Sequence, residues 1–305
     1  AYVVDSSLTS DGNVDLDAVN SAGIIATVAA VSAAIGGGGT AGVGASIGVA
    51  VARNQIGWKL TSGSTTFTTA NDSGTLDTNE TVLIEEGPRA GDIYKYIGTD
   101  SLSIGSNADT QIDLRNVDYT DSDTWVQTNF SQSPLEVKAY MERTSVDADG
   151  ALTLDALAAS TIDAGVGAGS LAGSFGGTAV VSLSGAGVST ENKIATQVKA
   201  YIDGDGATGI DVGSLALTAD DTSAIDATAA AASVAAAFSG TASVALSIGV
   251  SLARNEINNV VQSYIINADN GVTADTGDVS VSATEAASIS AFSLAVSLGL
   301  SLIHI

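Results

Sequence analysis

Large and small side chains alternate along much of this chain. In 292–302 Phe292, Leu294, Val296, Leu298, Leu300 and Leu302 alternate with Ser293, Ala295, Ser297, Gly299 and Ser301. In 242–252 Val244, Leu246, Ile248, Val250 and Leu252 alternate with Ser243, Ala245, Ser247, Gly249 and Ser251. In 41–51 the large residues fall on odd positions, among them Val43, Ile47, Val49 and Val51. A period of two predicts strands, because successive side chains of a strand leave on opposite faces. Residues 21–52 carry no charge over 32 positions, which is long enough for a membrane helix. The alternation decides against one, and so do Gly36, Gly37, Gly38 and Gly39 in a row, each costing a helix about 1 kcal/mol. No transmembrane segment is expected. The two faces differ in size rather than polarity. A small face lets a second sheet come close and a large face fills a wider core, so both are compatible with burial.

The same pattern is written several times. Leu152, Ile162, Thr178, Asn192, Ile194 and Tyr201 recur 63 residues later as Leu215, Ile225, Thr241, Asn255, Ile257 and Tyr264. Val279 and Ile289 follow Leu215 and Ile225 by 64, and Val14, Ile24, Thr40, Asn54 and Ile56 precede the second copy by 138. Tyr140 precedes Tyr201 by only 61, which suggests a first copy split by an insertion. The expected organisation is 1–57 as the first part of the first repeat, 58–134 as an inserted β-rich module, and 135–305 as the remaining repeats. Fixed-period similarity predicts a stacked array in which each repeat buries its faces on its neighbours. The expected fold is all-β, a parallel β-solenoid of ~63-residue repeats. Two long strands in each copy meet at Gly176-Gly177 or Ser239-Gly240, as a hairpin or as an arch of two facing strands. The constant register favours the arch. Identical residues then stack along the axis, Asn54, Asn192 and Asn255 as one ladder and Tyr140, Tyr201 and Tyr264 as another. Both prolines, Pro88 and Pro134, lie in the insertion, which fits array strands bonded on both edges.

Several motifs carry a resemblance. They are Ala253-Arg254-Asn255-Glu256-Ile257, Ala200-Tyr201-Ile202 with Ser263-Tyr264-Ile265, Phe238-Ser239-Gly240-Thr241, and Gly277-Asp278-Val279-Ser280-Val281-Ser282-Ala283. Outside the insertion the chain resembles the alanine- and glycine-rich repeats of very large secreted bacterial surface proteins of the adhesin type. The resemblance implies a β-solenoid at the cell surface or outside the cell, acting as stalk or scaffold. The uncapped alternation of Phe292 to Leu302 and the stop inside a repeat suggest other copies of the chain, or the rest of a longer array, as partners.

Composition narrows the partners. The net charge is -24 with only ten Lys and Arg, so the basic patch that nucleic acid or an anionic membrane requires is missing. There is no Cys, hence no disulfide framework or thiol chemistry. The chain opens on Ala1-Tyr2-Val3-Val4 without the features of a signal peptide, and it stops inside a repeat at Ile305. We expect a piece of a longer array.

Candidate chemistry is sparse. The insertion holds both tryptophans, Trp58 and Trp125, and three of the seven tyrosines. Tyr94, Tyr96, Tyr119 and Trp125 have a spacing loosely like that of aromatic sugar-binding modules, in which exposed rings stack on glycan rings. The alternative is that these rings form the module's own core. Acidic stretches follow the tyrosine motif in each copy: Asp147 and Asp149, then Asp203 and Asp205, then Asp269. Asp-x-Asp-Gly is half of a calcium loop, and such residues also favour turns on their own account. Calcium is therefore the candidate cofactor and a glycan the candidate ligand. No catalytic residues are assigned. The only His is His304, so no Ser-His-Asp set exists. Glu85 and Glu86 are adjacent, and on a strand they would face opposite ways, which ill suits a solenoid enzyme cleaving polysaccharide.

Overall fold

The computed structural model describes residues 1–87, 89–107 and 109–303. Pro88 and His304 lie outside the described residues. Among these, regular structure is all strand. Backbone contacts divide the chain into two units, one of Ala1–Ile56 with Pro134–Ile305 and one of Gly57–Ser133.

The first unit is a parallel solenoid whose repeat is one large coil of four sides. The first sheet stacks Tyr2–Val4, Leu135–Glu142, Thr196–Asp203 and Val260–Ile266. The second is centred on Ser145–Ala158 and Ile210–Asp221. The third stacks Gly23–Gly38, Thr161–Gly176, Ala224–Ser239 and Ser288–Ile303, and the fourth Ala41–Ile56, Ala179–Ile194 and Ala242–Ile257. Every strand in these four sheets pairs in parallel with its own equivalent in the next coil, as Ile162 with Ile225 and Asn192 with Asn255. The two long strands of each coil therefore belong to different sheets. They face each other as an arch.

The register refines the repeat length. Tyr2 pairs with Tyr140, 138 residues on, and removing the 77 residues of Gly57–Ser133 leaves 61. Tyr140 pairs with Tyr201, again 61 on, and Tyr201 with Tyr264, 63 on. The module thus falls between the first coil and the second when coils are counted from Tyr2. The shorter spacing at Tyr140 has another origin. The corner after the first sheet runs from Asp203 to Ile210 in the third coil but only from Glu142 to Ser145 in the second. A bulge between Ala148 and Ala151 takes up part of the difference. That corner needs a left-handed residue in every coil, and Asp5, Arg143, Gly204 and Asn267 fill it with φ of 49°, 46°, 84° and 54°. Only Gly204 takes it without a Cβ penalty.

Two cores of different character sit inside the coil. The first and second sheets enclose large residues, including Met141, Leu152, Leu154, Ile202, Leu215 and Leu217. The arch of the third and fourth sheets encloses Ala, Ser and Gly, with Ala168, Ala186, Ala229 and Ala231 at its centre. Here the small face is the inner one. The sheets lie so close that a Cβ on Gly44 would stand 2.4 Å from the Gly173 carbonyl oxygen, and one on Gly48 2.4 Å from that of Gly169. Val166 and Val188 are buried with the alanines, while the largest side chains of the arch, among them Ile47, Leu171, Phe175 and Leu183, point outward. An isoleucine layer, Ile56, Ile162, Ile194 and Ile225, closes the base of the arch.

The second unit is a small β module. Trp125–Gln127, Ile93–Tyr96, Thr81–Leu83 and Phe67–Thr68 form a sheet, Gly74–Leu76 pairs with Leu102–Ile104, and Trp58–Leu60 pairs with Phe130–Gln132.

Candidate functional site

The most ordered chemistry in the solenoid runs along its axis. Asn54 Nδ2 donates to Asn192 Oδ1 at 2.8 Å, and Asn192 Nδ2 donates to Asn255 Oδ1 at 2.7 Å. A carboxamide suits this place because it carries both a donor and an acceptor, so each rung satisfies the next. The tyrosines stack likewise: Tyr140 on Tyr201 at 4.9 Å with planes 3° apart, and Tyr201 on Tyr264 at 5.0 Å and 15°. A fourth ring, Tyr2, joins at 5.4 Å from Tyr140. Its signal was the 138-residue spacing that also relates Asn54 to Asn192. Burial, together with the bond Tyr201 donates to Glu142, pushes the Tyr201 phenol well above its usual range.

A second axial network runs between two sheets rather than along one. Ser32 and Ser46 share a hydrogen bond of 2.7 Å, Ser170 donates to Ser46 at 3.1 Å, and Ser184 donates to Ser170 at 2.9 Å. Ser233 donates to Ser184 at 2.9 Å and Ser247 to Ser233 at 2.8 Å. Six hydroxyls thus zigzag through three coils inside the arch. The hydroxyl can both donate and accept, so the chain extends without an orphan atom. The repeat comparison did not reveal it, because it joins different positions of the repeat.

Charge along the axis is less well matched. Arg53 pairs with Glu191 at 3.2 Å, and Lys193 bridges Glu191 at 3.5 Å and Glu256 at 3.2 Å. On the second sheet, by contrast, Asp221 stands in register with Glu285. Burial and the Asp221 carboxylate raise the Glu285 pKa. A raised carboxyl pKa means that the folded chain holds its proton where the unfolded chain has lost it. That contribution is complete below the unfolded pKa and is lost as pH rises through the folded one. Glu285→Gln should therefore raise the melting temperature at pH 7, and the gain should vanish below about pH 4. Thermal melts of both proteins across that range check it.

The acidic candidates do not gather into one site. Asp147 and Asp149 lie on the strand Ser145–Ala158 and are exposed, so they are not part of a turn. Asp203, Asp205 and Asp269 border one cleft with Arg143, Asn267 and Asn270. Within it Asp205 is 2% exposed and engaged by the neighbouring coil. It accepts from the backbone N–H of Asn270 at 2.6 Å and of Gly271 at 2.7 Å. Asp203 accepts from Asn267 at 2.7 Å. These carboxylates tie one coil's corner to the next. No group of three or more metal-binding side chains converges among the described residues.

The four aromatic candidates are brought together, but as a core. Tyr94, Tyr96, Tyr119 and Trp125 are 4%, 3%, 7% and 4% exposed. Tyr119 meets Trp125 edge-on at 4.8 Å and Tyr94 at 5.1 Å, and Tyr96 meets Trp125 at 5.4 Å. Tyr96 donates to the Asp100 carbonyl at 2.6 Å and Tyr119 to that of Leu114 at 2.9 Å. Stacking on a sugar needs an exposed face, and these rings spend theirs on each other. Burial pushes the Tyr119 phenol far above its ordinary range. Asn129, which the sequence reading passed over, holds the module's strands together. It accepts from Ile93 N–H at 2.7 Å and donates to the carbonyls of Gly91 at 2.7 Å and Thr61 at 3.1 Å. Glu85 and Glu86 are exposed in the loop after Thr81–Leu83 rather than on a strand.

No helix among the described residues is long and apolar enough to cross a membrane. Comparison with known protein families, with characterised proteins and with solved structures finds no match.

Proposed function

We propose that this chain is a structural segment of an extracellular bacterial surface fibre or adhesin, whose work is mechanical rather than catalytic. The observation that supports this is the continuity of its axial ladders. Backbone, Asn and Tyr rungs repeat with the same partners from coil to coil. Such a stack accepts a further coil at either end with no new chemistry. The edges that would receive it are rows of unpaired N–H and C=O groups, and Ser288–Ile303 at one of them keeps its alternation without Lys or Pro. Joining the last coil of one copy to the first of another is a contact that does not close on itself, so it builds filaments.

The charge of -24 opposes that contact at low ionic strength and is screened within about 10 Å at 0.1 M salt. Electron microscopy should therefore show separate particles at low salt and unbranched filaments at moderate salt. Monomers or amorphous aggregates at every salt concentration would overturn end-to-end assembly.

A further inference from the structure

The arch is built inside out for a protein in water. Its interior carries mainly Ala, Gly and the serine chain, with Val166 and Val188, while its exterior carries large aliphatic side chains on the end strands and mostly Gly and Ala, with Leu171, Phe175 and Leu183, on the strands between them. Ile25, Val31 and Ile35 on the third sheet are 85%, 85% and 80% exposed, and Ile47 and Ile248 on the fourth are 74% and 54%. Scattered exposed aliphatics are ordinary, but a contiguous apolar field marks an interaction surface. Both broad faces of the arch are of this kind.

Charge stops at one level on both faces. No charged residue occurs between Asp17 and Arg53, between Asp163 and Glu191, or between Asp226 and Arg254. The bounding residues are in register across the coils, Asp163 with Asp226 on one face and Arg53 with Glu191 and Arg254 on the other. Above that level each strand runs uncharged for about twelve residues, on the order of 40 Å, against a bilayer hydrocarbon thickness of about 30 Å. The tips beyond are small and polar, with Thr40, Thr178 and Thr241 beside glycines.

We propose that the arch seats, tip first, in the hydrocarbon of an electrically neutral lipid bilayer. A protein partner would cover one broad face; hydrocarbon covers both. The interior fits that medium. Between elements in lipid there is no hydrophobic drive, so small residues that allow close backbone approach and hydroxyls that bond across the interface hold them together. The row of Arg53, Glu191, Lys193 and Glu256 lies at headgroup level. The net charge of -24 excludes anionic lipid as the preferred surface. Hydrocarbon does not tolerate open sheet edges, and the end coils have them, so inserted copies stack edge to edge. That stacking is the end-to-end contact of the fibre reading, on which the seated state therefore rests; filaments in water without flotation would overturn the lipid proposal alone.

The absence of Cys makes the test direct. Ile248→Cys and, on the second sheet, Asp211→Cys each carry one polarity-sensitive fluorophore, and the full chain is mixed with phosphatidylcholine vesicles. The expected result is flotation with the vesicles, a blue shift at position 248 with quenching by bromine-labelled acyl chains, and no change at position 211. Leu246→Ser, Ile248→Ser and Val250→Ser combined should cut the vesicle-bound fraction by about tenfold or more, with the β circular-dichroism spectrum retained. No flotation would overturn the proposal, as would flotation with the label at 248 still in water. A label already shielded without vesicles, in particles of dimer mass by light scattering, would assign the face to a second copy and overturn it too.

Discussion

Gly48→Val is expected to destabilise the solenoid by about 3 kcal/mol, while Gly167→Ala in the same arch should be neutral or slightly stabilising. Both glycines lie in long strands of the arch, and both are small residues in an alternating pattern. They differ in the face they occupy. A Cβ at Gly48 meets the Gly169 carbonyl oxygen at 2.4 Å, and that obstacle is backbone of the facing sheet. It cannot rotate away as a side chain would, so the sheets must separate. Separation would also stretch the bonds that Ser170 and Ser184 make across the gap, at 2.8 and 2.9 Å. A Cβ at Gly167 meets nothing within 4 Å, and replacing Gly there reduces the freedom of the unfolded chain. For a unit of this size the first substitution should lower the melting temperature by roughly 6–12 °C. Circular-dichroism melts of the two variants beside the parent chain measure it. Equal behaviour of the two would mean that the arch is loosely packed and that its small inner face is not a steric requirement.

The pair also shows where sequence reading reaches its limit. Strand character and parallel stacking were legible because they are recorded as periods, two residues along a strand and about 63 along the axis. The Asn ladder was legible for the same reason, since a residue that must bond to its own kind recurs at that period. Which face of the arch is inside was not legible. Polarity ordinarily marks the outside of a strand, and here neither face of the arch carries charge over most of its length. The inner face is settled by how closely two backbones approach, which no single strand records. The serine chain was hidden by symmetry of another kind. Ser32 and Ser46 lie seven residues either side of Gly39, Ser170 and Ser184 either side of Gly177, and Ser233 and Ser247 either side of Gly240. Folding about the tip brings them together, and a search for translation along the sequence cannot see a reflection. In the module, the ring types and spacing of Tyr94, Tyr96, Tyr119 and Trp125 suit a sugar platform or a core equally well. In the fold they join Leu76, Val82, Ile84, Ile104 and Leu114 in one buried cluster, because a ring removes a large apolar area from water when it is covered.

Asn192→Ala should cost about 2–5 kcal/mol and should cost roughly twice as much as Asn255→Ala. Asn192 is the middle rung and is 0% exposed. It accepts from Asn54 at 2.8 Å and donates to Asn255 at 2.7 Å. Removing it strands a donor on one neighbour and an acceptor on the other, and an orphaned buried polar group costs more than the net worth of a satisfied bond. Asn54 is itself buried, at 7% exposure, so water reaches its amide poorly. Asn255 is an end rung with one such bond along the axis, so its loss strands a single partner. The ratio is the informative quantity, because both variants delete the same atoms from the same repeat position. Array unfolding need not be two-state, so amide hydrogen exchange resolved to the strands Ala41–Ile56, Ala179–Ile194 and Ala242–Ile257 is the measurement of choice. Asn192→Ala should raise exchange in all three strands. Asn255→Ala should act on the last two, and a first strand disturbed as strongly by the end-rung change would show that the ladder acts as one cooperative unit rather than as a series of pairwise bonds.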